Sequence, residues 1–302
     1  MTQAKKYLSI FSPSTLKQRK DNFETYWNFT REHSGELLES DQDLSKKRAK
    51  LQSFQAHPVL LQQPFRQPDA FYRNYVHLRD DAKTLDRKTL LLTCIYKFAR
   101  HEWVGITGAW AATPDMANSK ELTDRISRYH LAEEFSHIRL FHEMFRTFRL
   151  NQVEWVPLGT VMRKVYELFP RLPEALMSPI AFVTELMGIT FYRQVDGLLD
   201  EVFADEPQAR TRLRELLNEI TVDELAHIGQ RRNYLGPLGL KVSRWMTPPL
   251  FRLFFRDIPE TRLLFDLERM IQEALAFDYS EIPEPLMRQT WVPSYCMAEH
   301  QA

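Results

Sequence analysis

The sequence predicts an all-α protein: a bundle of four long helices, a long crossover between the second and third, and extra helices at both ends. Three observations predict it. Glycine is only 9 of 302 residues, about half the usual share, which fits poorly with sheet-rich folds and glycine-loop nucleotide sites. The 17 prolines are unevenly spaced and leave proline-free windows at 69–113, 115–156, 180–206, 208–236 and 260–282. The windows also carry helical periodicity; in the first, Leu91, Ile95, Phe98, Glu102, Ile106 and Ala109 share a face.

Taken in order, residues 1–85 read as an N-terminal helical extension, with Tyr26, Trp27, Phe71 and Tyr72 supplying packing faces. Within it, DQDLSKKRAK at 41–50 reads as a solvated face rather than a binding site. The first long helix is expected at 86–112. The second is expected at 119–149, with Ser119 as N-cap and Glu121 in the first turn. The third is expected at 178–204, where Ser178-Pro179 reads as N-cap plus N1 proline. The fourth spans 207–235, opening at Glu206-Pro207 and ending at Gly236-Pro237. Short loops join the first pair and the last pair, which makes each pair antiparallel. The Pro-dense stretches 157–179 and 237–259 read as connectors, and one further helix is expected near 261–277. The organisation is therefore a bundle at 86–235, the extension at 1–85 and a helical cap at 236–302. No repeat occurs at solenoid periods.

Forty Lys plus Arg balance forty Asp plus Glu, a net charge of +0, so nothing favours a nucleic-acid partner. Cys94 and Cys296 stand far apart, which excludes a disulfide framework and a zinc ribbon. The N-terminal residues lack the apolar run of a signal peptide. The most apolar stretch, 177–192, is interrupted by Pro179, Glu185 and Thr190, so no membrane span is expected. A cytoplasmic protein is the expectation.

Chemistry concentrates inside the four helices. LAEEFSHIRLF places Glu134 and His137 three residues apart, and VDELAHIG does the same for Glu224 and His227. Residues at i and i+3 share a helix face, so each pair points at one spot. Both pairs have apolar neighbours, Leu131 and Ile138 around the first and Ile220 and Ile228 around the second. A charge on such a face is costly unless it is paired or metal-bound. The other two helices each offer one matching acid: Glu102 between Phe98 and Ile106, and Glu185 between Ala181 and Ile189. Glu185 and Glu224 lie ~27 and ~26 Å from their shared hairpin loop, hence level; the first hairpin is mismatched by ~8 Å at 1.5 Å per residue.

Four glutamates and two histidines in this pattern form the ligand set of a dinuclear iron or manganese site. Four carboxylates balance two divalent ions, and hard oxygen with imidazole suits iron or manganese. Glu133 and Asp223 precede the ligand glutamates. They either face solvent or reach across, Asp223 to His137 and Glu133 to His227, to fix the imidazoles. Gly105 and Gly188 lie one turn beyond Glu102 and Glu185. They serve either close helix packing or a space for substrate, which Ala109, Phe141 and Tyr192 would extend.

The pattern E102, EExxH at 133–137, E185 and DExxH at 223–227 resembles the ferritin-like diiron-carboxylate superfamily, over roughly residues 86–235. Phe141 stands where radical subunits of ribonucleotide reductase keep a tyrosine, so a stored tyrosyl radical is not expected. Rubrerythrins carry a CxxC iron module that is lacking here, and ferritins are shorter. Many hydroxylases and desaturases have a Thr within a turn of the third-helix Glu, whereas Gly188 and Ile189 occupy those places. Arylamine N-oxygenases are similar in size. They carry a further histidine one turn before the second ExxH glutamate, where this chain has Ile220. His130 occupies the pseudosymmetric place on the second helix, as an additional ligand or as a packed residue.

The resemblance implies an oxygenase with two Fe ions (or Mn, or mixed Mn/Fe) that uses O₂ to N-oxygenate or hydroxylate a small organic substrate. It implies Glu102, Glu134, His137, Glu185, Glu224 and His227 as ligands, a separate ferredoxin or reductase as electron donor, and a homodimer as one assembly. The alternative is an iron-oxidising or peroxide-detoxifying protein without an organic substrate.

Overall fold

Each long helix is set by a local signal. Asp86 caps α4 (Arg87–Ala112) by accepting from the Thr89 N–H at 2.7 Å. Pro207, at the first position of α8 (Pro207–Asn233), needs no donor there. The structure, a computed structural model, describes residues 6–298. Among these residues the chain is all-α apart from a two-residue hairpin, Leu37–Leu38 with Asp43–Leu44, and two isolated bridges.

Before the long helices come α1 (Leu16–Ser34), α2 (Ser45–Ala56) and α3 (Pro68–Asn74). After α4 come α5 (Leu122–Thr147), α6 (Thr160–Leu168), α7 (Glu174–Val202) and α8. The chain closes with α9 (Pro237–Phe255), α10 (Thr261–Leu264), α11 (Leu267–Leu275) and α12 (Glu284–Met287). The four long helices form a ring of contacts: α4 on α5, α5 on α8, α8 on α7 and α7 on α4. α1 lies against α5 and α8, while α9 and α11 lie against α7. One apolar core joins residues from the N-terminal end (Ile10, Phe54), the long helices (Phe98, Phe191) and the C-terminal end (Phe277, Tyr295). Buried Arg232 adds a polar tie by donating to the Ile10 and Ser12 carbonyls at 3.0 and 2.9 Å.

Several boundaries differ from the sequence reading. Ser119 is not an N-cap. Residues 114–118 form a 3₁₀ turn, Ser119 donates to Asp124 at 2.6 Å, and Glu121 takes the cap position. This shift matters for the site. Glu102 is now 10 residues from its helix end and Glu134 is 12 from its helix start, so the expected mismatch shrinks to ~3 Å. Ser178-Pro179 does not start α7 either, since Pro179 lies inside it. Its missing N–H deprives only the Ala175 carbonyl, in an exposed turn that water can serve.

The two Pro-dense connectors hold helices. Stretch 157–179 contains α6 and the start of α7, and stretch 237–259 is mostly α9, with Gly236 at its N-cap. Pro248 and Pro249 within α9 forfeit bonds to the Arg244 and Trp245 carbonyls, whose residues are exposed. The helix expected at 261–277 is split at Phe265-Asp266, where Asp266 caps α11 through the Glu268 N–H at 3.0 Å. By length and composition α7 could cross a membrane, yet 72% of its apolar window is buried inside the protein, as in a core helix.

Candidate metal centre

The centre is built from side chains that four helices turn inward. Glu134, Glu185, Glu224, His130, His137 and His227 are all buried. They form two overlapping groups whose ligand atoms lie within 4.8 Å of one another: His130, Glu134, Glu185 and His227 in one, and Glu134, His137 and Glu224 in the other. Glu134 belongs to both. Its Oε1 lies 3.0 Å from His227 Nδ1 and 3.5 Å from His130 Nε2, and its Oε2 lies 3.4 Å from His137 Nδ1. His137 Nδ1 is also 3.3 Å from Glu224 Oε1. His130 Nε2 is 3.4 Å from Glu185 Oε1, and its ring centre is 3.9 Å from that of His227.

Glu102 belongs to neither tight group. Its Oε1 accepts the Tyr192 O–H, and its Oε2 is buried without a hydrogen-bond partner. Burial, followed by the nearby Glu134 and Glu224 charges, pushes its carboxyl well above the usual range.

The far nitrogens of the two motif histidines are anchored crosswise. His137 Nε2 meets Asp223 Oδ2 at 3.0 Å, and His227 Nε2 meets Glu133 Oε2 at 2.8 Å. Glu133 and Asp223 therefore face inward rather than solvent. Their own partners come from the N-terminal extension. Thr30 donates to Glu133 at 2.6 Å, and Ser34 donates to the same oxygen. Lys47 Nζ donates to Asp223 at 2.6 Å, and His33 Nε2 stands 3.3 Å away.

This corrects the reading of residues 41–50 as a solvated face. Lys47 and Asp43 are buried because α2 packs on α5, with Lys47 reaching Asp223 and Asp43 bonding Arg48 at 2.9 Å. Sequence spacing could not pair Lys47 with Asp223, which lies 176 residues away. The i, i+4 spacing of Thr30 and Ser34 was a local signal, though a weak one.

Electrostatics follow from this packing. Burial works against charge on His137 and His227. Glu134 and Asp223 beside the first, and Glu133 and Glu134 beside the second, nevertheless hold both imidazoles well above their ordinary pKa. Burial likewise opposes charge on Glu134, but the two histidines hold its carboxyl well below the usual range. Burial and Glu134 push Glu224 up to about 8. His130 goes the other way: burial, then the His227 and Arg231 charges, lower it to about 4.

Beside these side chains lies a cavity of about 180 Å³. Gly105, Ala109 and Gly188 line it, and so do Tyr166, Phe254 and Arg231. Phe141 and Tyr192 do not; they border a separate small apolar void with Ile95 and Leu217, because Tyr192 turns its hydroxyl to Glu102 from the other side. The two glycines differ in what they permit. A Cβ on Gly188 would sit 3.2 Å from Glu224 Oε2, whereas one on Gly105 would meet the Tyr166 ring at an ordinary 3.5 Å. Gly188→Leu should therefore displace Glu224, reduce metal content and cost ~1–3 kcal/mol of stability. Gly105→Leu should keep its metal and fill the cavity instead. Metal analysis and thermal melts of the two variants check this; equal metal loss in both would contradict the assignment.

Comparison of the chain with protein-family models, with curated proteins and with solved structures finds no match.

Proposed function

We propose that the protein is a ferritin-like dinuclear oxygenase that uses O₂ and external electrons to oxidise a small organic substrate. The observation that carries the reading is the state of the two motif histidines. Their Nε2 atoms are committed to Asp223 and Glu133, while His137 Nδ1 and His227 Nδ1 are buried without hydrogen bonds and aim at carboxylate oxygens 3.0–3.4 Å away. With Nε2 committed to a carboxylate, Nδ1 is the one ring nitrogen left to each imidazole; without metal it carries a proton toward Glu134 or Glu224, and release of that proton frees its lone pair for an ion. A buried site that gathers carboxylates around two such nitrogens can exchange their protons for metal cations. The donor set of oxygen and imidazole, with no thiolate, fits iron or manganese.

His130, Glu185 and His227 would hold one ion and His137 and Glu224 the other, with Glu134 within reach of both. Glu102 would complete the set by turning from Tyr192. Bound as a pair, such ions supply the reduction of O₂ and the oxidation of a substrate atom. The chain's own contribution is positional. Asp223 and Glu133 fix the tautomer and ring orientation of each histidine and raise its basicity. Low-pKa His130 stays neutral at physiological pH, the form in which an imidazole binds metal. The cavity favours an oxygenase over the iron-oxidising alternative, because Ile106, Leu131 and Phe254 give an organic molecule apolar walls next to Glu102 and Glu224. Electrons would come from a separate ferredoxin or reductase.

Oxygen uptake by the iron-loaded protein tests this, using a chemical reductant and a panel of small aromatic amines and acids. Uptake should rise with at least one compound and leave oxygen in its product. His130→Ala should lower iron occupancy or alter the spectrum of the oxygenated protein. Uptake that leaves every compound unchanged while ferric iron accumulates would favour the alternative. Wild-type occupancy and spectrum in His130→Ala would make His130 a packing residue.

A further inference from the structure

Two helices next to the cavity carry exposed apolar side chains that none of the described residues covers. On α6, Val161, Val165 and Leu168 recur at helical spacing and are exposed, Val161 by 76%; Leu172, in the turn that follows, and Leu176, in the first turn of α7, are exposed as well. α6 has no buried residue; Tyr166 turns inward to the cavity while the stripe turns out. On α9, Leu238, Trp245 and Leu253 form a second stripe, with Leu238 exposed by 75% and Trp245 by 77%. Ser243, buried, donates to the Pro179 carbonyl at 3.4 Å, which sets that side of α9 against α7 and leaves Leu238 and Trp245 on the opposite, outer side. Tyr166 and Phe169 from the first stretch and Phe254 from α9 line the same cavity. The surface and the cavity are thus two sides of the same elements. Large exposed apolar side chains grouped on the outer face of a helix mark a contact with another phase or molecule.

Charge distinguishes the occupant. Residues 159–176 and 237–256 carry seven Lys or Arg and two Glu, in a chain whose net charge is +0. α9 has no acidic residue; Leu238, Lys241, Arg244 and Trp245 are exposed along it, and Arg256, just past its end, is exposed too. Among the described residues, Lys164, Arg171, Lys241 and Arg256 make no ion pair. A second copy seated on this face through a two-fold axis would set these cations against one another. Aliphatic and Trp side chains interleaved with Lys and Arg are instead the composition of helices that lie in a lipid–water interface and favour anionic headgroups. We propose that the α6–α9 face rests on an anionic phospholipid surface as a peripheral contact, with no segment crossing the bilayer. The proposal is independent of the metal reading, since it rests on exposed residues alone.

Co-sedimentation of the full chain with vesicles tests it. Vesicles of phosphatidylcholine with phosphatidylglycerol should bind the protein, and phosphatidylcholine alone should bind it more weakly. Added salt should weaken the anionic binding. Leu168→Glu and Trp245→Glu alter exposed side chains, so both should melt like wild type and bind roughly tenfold or more weakly. Lys241→Glu with Arg256→Glu should remove the preference for anionic vesicles. Absence of binding to anionic vesicles by folded wild type would overturn the proposal, as would unchanged binding by the variants. Sedimentation velocity completes the test: a wild-type dimer that Leu168→Glu dissociates, without vesicle binding, would assign the face to a second copy and overturn the proposal.

Discussion

Glu134→Ala should abolish binding of both metal ions while the protein stays helical. Glu134 is the one carboxylate within reach of both sites: one oxygen faces His227 and His130, and the other faces His137. Its loss removes a ligand from each position and the charge that holds two buried imidazoles together. Loss of a ligand outside the overlap, as in Glu185→Ala, should instead leave one ion bound. Metal content per chain after iron loading, read alongside helicity by circular dichroism, checks both. A Glu134→Ala protein that still holds two ions would remove Glu134 from the centre.

Lys47→Met should be strongly destabilising for a single substitution in the N-terminal extension. Asp223 is buried, and Lys47 meets it at 2.6 Å from an equally buried position. Removing one member of a buried pair strands the other, at a cost of about 3–5 kcal/mol. Asp223 keeps contact with His137 and His33, which argues for the lower end, about 3 kcal/mol. In a chain of this size that is a melting temperature lower by roughly 5–10 °C. Asp223→Asn in the same protein should recover part of the loss, because the stranded charge is gone. Melts of the two single variants and the double variant check the coupling; additive losses would mean that Lys47 and Asp223 act separately.

The site was more legible in the sequence than the boundaries of the elements that carry it. Glu134 with His137 and Glu224 with His227 obey a spacing rule that any helix enforces. Acids among Phe98, Ile106, Ala181 and Ile189 stand out because burial of an unpaired carboxylate is costly. The crosswise contacts of Asp223 and Glu133 follow from their places one residue before Glu224 and Glu134. Proline was a less reliable guide. Pro179, Pro248 and Pro249 lie inside helices because the carbonyls they leave bare face solvent, and exposure is a tertiary property. Lys47 was hidden for a related reason. A lysine in a charged run has no local mark of burial, and its partner is supplied by the packing of α2. Tyr192 lies on the same helix as Glu185, yet it serves Glu102 on α4, and helical periodicity does not report which neighbour a side chain meets.

The most direct test of the central claim is the metal content of the purified 302-residue chain after expression in iron- and manganese-replete medium. The account predicts about two ions per chain, iron or manganese. It also predicts that removing them with a chelator lowers thermal stability, since ions that bind only the folded state stabilise it. Stoichiometric zinc alone, or a protein that holds no ion and melts at the same temperature with or without added iron, would contradict it.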